Sequence, residues 1–142
     1  MLTSARNVFP VTVTAVHGGA VNDEIVLSME GGQEVVASIT QASTKRLGLA
    51  AGKKALALIK ASFVILLEEA DDWLLSTRNQ FSGTVTAVRP GAVNTEVDME
   101  LPGGQTLCAI VTVASAEKLH LAPGSRVTAA VKASSVILAV QK

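Results

Sequence analysis

Tyrosine is absent from this chain, tryptophan occurs once and phenylalanine three times, so aromatic residues make up only 3% of the sequence. A binder of single-stranded nucleic acid stacks bases on aromatic faces beside a basic groove, and this sequence is poor in both. Net charge is missing too. Twelve basic residues balance twelve acidic ones, leaving no overall field to draw in nucleic acid, an anionic membrane or a cationic partner. The single Cys108 cannot form an internal disulfide and is expected as a small buried strand residue rather than a nucleophile. Apolar runs such as 55–59 and 63–67 fall far short of the roughly 18 residues a membrane-spanning helix needs. The opening "MLTSARN" has no basic segment leading into an apolar core, so no secretion signal is read. With the lone cysteine, this sets a cytoplasmic expectation.

What the sequence does contain is itself, twice. "TSARNVFPVTVTAV" (3–16) returns as "STRNQFSGTVTAV" (76–88). An offset of 72 positions sets Ser4 on Ser76, Gly52 on Gly124 and Lys60 on Lys132 without a gap, and about half of the paired residues are identical. That is a tandem repeat. The acidic segment "EEADDW" (68–73) reads as the connector, giving domains at 1–70 and 71–142.

Within each unit the periodicity is mostly two. Val97, Met99 and Leu101 alternate with Glu96, Asp98 and Glu100, the pattern of an antiparallel strand with one wet face. Gly31-Gly32 and Pro102-Gly103-Gly104 mark hairpin turns. Five strands are expected in the first unit, near 6–16, 23–30, 34–40, 54–60 and 63–67. A short helix near 43–47 has Ser43 as its N-cap and Gly48 as its stop. The fold class is therefore all-β, two tandem OB-like five-stranded Greek-key barrels, each with one short helix. Barrels this small bury little core, so the units and several chains are expected to pack together.

The two copies also act as each other's control. Surface positions have drifted, as in Val26/Asp98, Ser28/Glu100 and the charge reversal Lys45/Glu117. Against that drift, Arg6/Arg78 and Lys60/Lys132 are the basic residues kept identical. The hydroxyls Ser4/Ser76, Thr40/Thr112, Ser43/Ser115 and Ser62/Ser134 are kept beside them. Cations, hydroxyls and a helix start form a set of donors suited to an oxyanion, with no acceptor-only group to repel it. The one acid kept identical, Glu24/Glu96, is read as a turn or strand-start residue.

At these residues the chain resembles the Mop, or molbindin, family of molybdate-binding domains in its tandem form. The carriers are the two openings quoted above, "ASITQAS" with "AIVTVAS", and the strand-four endings "LIKAS" and "AVKAS". The resemblance implies a site using Ser4, Arg6, Lys60 and the backbone at Ala61, with Thr40 and Ser43 supplied by a neighbour and Ser62 as an extra donor. The second copy would repeat it with Ser76, Arg78, Lys132, Ala133, Thr112, Ser115 and Ser134. It also implies a homo-oligomer, expected as a trimer, with further sites on its symmetry axis. The turns carrying Ala20, Val21 and Asn22, and Ala92, Val93 and Asn94, are the expected places. The cargo the resemblance implies is molybdate or tungstate, with no catalytic cofactor and no metal cation expected to be held directly by protein ligands.

The rival reading is a single-stranded nucleic-acid-binding OB protein. Phe9 and Phe81, in the apolar phase of strand one, are expected in the core instead. A DNA-reading regulator would need a helix-turn-helix, for which no residues are left over. An enzyme is not expected. His17 pairs with Arg89 and His120 with Gly48, so neither histidine is duplicated, and no phosphate loop or Cys/His cluster appears.

Overall fold

The computed structural model describes residues 1–69 and 72–142; the expected boundary at 70/71 falls on the two residues outside that description. The first copy runs through β1 (Asn7–His17), β2 (Asn22–Met29), β3 (Glu34–Thr40), α1 (Gln41–Leu47), β4 (Lys54–Ile59), a 3-10 turn (Ala61–Phe63) and β5 (Ile65–Glu68). The second runs through β6 (Asn79–Pro90), β7 (Asn94–Glu100), β8 (Thr106–Thr112), α2 (Val113–Lys118), β9 (Arg126–Val131), a 3-10 turn (Ala133–Ser135) and β10 (Val136–Ala139). All strand neighbours pair antiparallel. The expected alternation is present: Ile25, Leu27, Val97 and Met99 are almost completely buried, and Phe9 and Phe81 lie in the core.

The fifth strands are exchanged between the copies. The first sheet has the order β10-β4-β1-β2-β3, and the second β5-β9-β6-β7-β8. Val136 stands opposite Ile59, and Ile65 opposite Ala130. Each five-stranded sheet therefore holds four strands of one copy and one of the other, which corrects the expectation that every unit supplies its own fifth strand. The 3-10 turns after β4 and β9 direct the chain away from a simple hairpin. Leu66 and Leu138 point in, while Ile65 and Ile137 point out. The result is one apolar cluster running through both copies.

Two side chains fasten the copies from opposite directions. Asn79, fully buried at the start of β6, accepts the Val36 amide through Oδ1 and donates Nδ2 to the Val36 carbonyl, both at 2.7 Å. Asn7 grips Cys108 in the same way, accepting its amide at 2.7 Å and donating to its carbonyl at 2.8 Å. Val36 and Cys108 are counterparts in the repeat, so the clamps are related by an approximate two-fold. The hairpin tips meet as well. Gln33 Nε2 donates to the Pro102 carbonyl, and a β-carbon on Gly103, whose φ is +98°, would press on Gly31 Cα.

The local signals account for other details. Both first strands bulge at the same place, between Val13 and Ala15 and between Val85 and Ala87. There the repeated threonines donate across to the partner strand, Thr14 to the Val26 carbonyl and Thr86 to that of Asp98. The helix begins earlier than expected. Thr40, not Ser43, is the N-cap, because its hydroxyl accepts the Ser43 amide three residues on. Gly48 ends α1 in the left-handed region at φ 61°, as expected, and its counterpart His120 holds φ 51° without glycine's freedom.

Replacing Asn79 by Ala should leave the buried Val36 amide and carbonyl unpaired and lower unfolding free energy by about 2–4 kcal/mol. Asn79→Asp should also destabilise, by setting an oxygen against the Val36 carbonyl. Denaturant melts check both; an unchanged midpoint would remove the clamp from the account.

Candidate oxyanion site

The site is built around the clamp. Just before Asn79, which is buried against β3, Arg78 and Ser76 are exposed, and Arg78 reaches Glu24 and Glu34 of the same copy that Asn79 clamps. At the same end of the sheet, where Asn79 stands opposite Val131, Lys132 adopts an extended conformation as the cap of the second 3-10 turn. Ser76, Thr77, Arg78, Lys132, Ala133 and Ser134 thus line one shallow cavity of about 300 Å³, whose far wall is Glu24, Val36 and Ser38 of the first copy. Five of the residues named from the sequence come together there.

The first copy follows the same plan. The turn Ala61–Phe63 packs against β8, and Arg6 reaches β7 of the other copy, with Nη1 and Nη2 at 2.8 and 3.3 Å from the two Glu96 oxygens. Lys60 Nζ lies 5.3 Å from the Phe63 ring centre. Ser4 and Ser62 are exposed, and Ala61 is buried.

Thr40, Ser43, Thr112 and Ser115 do not line this cavity. They close the two helix starts: Thr40 Oγ1 and Thr112 Oγ1 accept the Ser43 and Ser115 amides at 3.1 and 3.0 Å, and each threonine hydroxyl donates to the paired serine. The exposed turns at Ala20, Val21 and Asn22 and at Ala92, Val93 and Asn94 support these helices, since the Val21 and Val93 carbonyls accept the Gln41 and Val113 amides. The Gly19 amide is already given to the Asp23 carboxylate, and the Gly91 amide to the Asn94 carbonyl.

Sequence reasoning missed the acids. Glu24 and Glu96 are no mere strand starters: Glu96 receives Arg6, and Glu24 receives Arg78, whose Nη2 also lies 2.8 Å from Glu34. The donor-only expectation is therefore wrong for the cavity wall, because each conserved arginine meets a carboxylate from the other copy. The signal was available, since Glu24/Glu96 was the acid the repeat kept.

Electrostatics follow from these pairs. Hydrogen bonds from Arg6 and then Arg89 hold the Glu96 carboxyl below its usual range, and Arg89 does the same to Asp98. Burial, reinforced by Asp98, pushes the Cys108 thiol up to about 11, so Cys108 is a buried strand residue without thiolate character. Among the described residues no group of three or more His, Cys, Asp or Glu could hold a metal ion. None of the described helices is long and apolar enough to cross a membrane.

This duplicated barrel pair belongs to the TOBE-domain family, whose model matches residues 3–66 and again 75–138. Over nearly its whole length the chain is also similar to a solved structure, the molybdate-bound, PEG-grown form of the cytoplasmic molybdate-binding protein ModG. The TM-score is 0.97 and the identity 43%, covering 99% of this chain and 100% of that one. Among curated relatives, the molybdenum-pterin-binding protein MopA of Rhodobacter capsulatus is 45% identical over 140 residues, 99% of this chain and 53% of its own length. The molybdenum transport protein ModE of Herbaspirillum seropedicae is 42% identical over 142 residues, 100% of this chain and again 53% of its own. The chain spans about half the length of the curated relatives it matches.

Glu96, whose carboxyl the arginines hold below its ordinary value in the folded state, contributes stability that is present above that ordinary value and lost as pH falls through the lowered folded one. Thermal melts of wild type and Glu96→Gln should therefore differ near neutrality and draw together as pH falls below the ordinary carboxylate range. Parallel curves across the range would contradict a working Arg6–Glu96 tie.

Proposed function

We propose that this chain binds molybdate, and by the same donor chemistry tungstate, as a cytoplasmic oxyanion storage and homeostasis protein rather than an enzyme. One observation carries the reading: the cations and hydroxyls that the repeat preserves, Ser76, Arg78, Lys132 and Ser134, line a single cavity at the junction of the two copies. Molybdate is a tetrahedral dianion that can only accept hydrogen bonds, and an arginine fork, an ammonium and hydroxyls can only gain by meeting it. The kinship with ModG supports this assignment. Arg6, Lys60, Ser4, Ser62 and the Ala61 backbone make up the equivalent half-site.

In this reading Thr40 and Ser43, with Thr112 and Ser115, complete the sites from a neighbouring copy in a homo-oligomer, which we take to be a trimer. The exposed turns at Val21 and Val93 are where symmetry-axis sites would lie. Exposed Phe63, Ile65 and Ile137, at 51%, 63% and 65%, supply apolar surface for such packing. Capture needs no covalent step. The anion displaces a carboxylate from an arginine, and release restores the internal ion pair.

Calorimetric titration of anion-free protein with molybdate, using sulfate and phosphate as controls, tests the proposal. Binding of at least one molybdate per chain is expected, with Arg6→Ala plus Arg78→Ala weakening it by about 10- to 100-fold, the worth of a lost charge-assisted hydrogen bond, at unchanged oligomer mass. Full binding by the double variant would sink the site assignment, and no molybdate heat from wild type would sink the function.

A further inference from the structure

The repeat makes two half-sites from nearly the same residues, yet the ion pairs around them differ. Arg78 is held by two carboxylates at once, Glu24 and Glu34, and among the described residues neither of these has a second cation. Arg6 is held by one, and that one is shared: Glu96 also receives Arg89 Nε at 3.2 Å. Arg89 is in turn anchored on Asp98, at 2.9 and 3.0 Å. The asymmetry lies in three counterpart positions. Glu34 has become Thr106, His17 has become Arg89, and Val26 has become Asp98.

Resting on the oxyanion reading above, we propose that the two sites of one chain are unequal, the Arg6–Lys60 site taking molybdate more tightly than the Arg78–Lys132 site. Charge and exchange chemistry both point this way. The Arg6 surroundings hold three cations, Arg6, Lys60 and Arg89, against Glu96 and Asp98. The Arg78 surroundings hold Arg78 and Lys132 against Glu24 and Glu34, with His17 in place of Arg89. A dianion arriving at Arg6 displaces Glu96, which keeps its bond to Arg89. One arriving at Arg78 strips two carboxylates of their common partner and leaves both facing the new negative charge.

The arginines and carboxylates are about 40–60% solvent-exposed, except Asp98 at 23%, and both lysines are exposed, so water and salt screen the difference. One partly screened charge a few ångströms away is worth about fivefold in affinity. Glu34 and Thr106 are therefore specificity-setting residues outside the direct donor set. Glu34, 58% exposed at the start of β3, can be changed without disturbing the clamp.

The test is a molybdate titration of the full chain near pH 8, where histidine is neutral, at low and high salt. Wild type should titrate as two classes, with Arg6→Ala removing the tighter and Arg78→Ala the weaker. Glu34→Thr or Glu34→Gln should strengthen the weaker class about fivefold at low salt and less at high salt. Thr106→Glu should weaken the tighter class. A single class in wild type, with no shift in either Glu34 variant, would overturn the inequality while leaving molybdate binding intact. No molybdate heat from wild type would overturn both together.

Discussion

The structure depends on two buried asparagines. Asn7 and Asn79 each spend a whole side-chain amide on the backbone of the other copy, at positions where no water can replace the bond. A buried amide paired on both its oxygen and its nitrogen is geometrically demanding, so it fixes the copies in one relative placement rather than merely holding them together. Strand exchange adds the bulk of the contact, since β5 and β10 carry buried leucines into the opposite barrel. A single copy removed from the other would lose its fifth strand and leave its third strand unclamped. A partner copy is thus a requirement of the fold.

Function inherits that placement. Because Arg6 and Arg78 each immediately precede a clamp asparagine, locking the asparagine also sets where the guanidinium projects, over β7 or β2 of the other copy. The internal carboxylates then hold each fork in readiness. In the proposed reading they also set a threshold, since an anion would have to outcompete Glu24 or Glu96 for the arginine. In that reading a multiply charged acceptor with several oxygens is favoured, because it would engage the arginine fork and the lysine together.

Much of this was legible in the residues. The repeat offset, the alternating strands, β3 to the residue, the hairpin glycines and the grouping of Ser76, Arg78 and Lys132 all follow from periodicity and from comparing the copies. Strand exchange was not legible, because Ile65-Leu66 and Ile137-Leu138 are the same dipeptide and would fit either sheet equally well. The Asn7/Asn79 clamps were in view as repeated letters, but an asparagine after an arginine reads as a polar surface residue until a backbone is found to fill it. The carboxylates were discounted because Glu24 sits in an alternating strand, where a wet-face acid needs no explanation. The N-cap moved from Ser43 to Thr40 because both residues can cap, and only the backbone turn at residue 40 decides which one does.

The most direct test of the central claim, that the anion sites are built across the two copies, is a crystal of the protein with molybdate, read by anomalous scattering at the molybdenum edge. The account predicts molybdenum beside Arg78 and Lys132 and again beside Arg6 and Lys60, with Glu24 and Glu96 turned away from the arginines. Molybdenum found only elsewhere, with both Arg–Glu pairs intact, would contradict it.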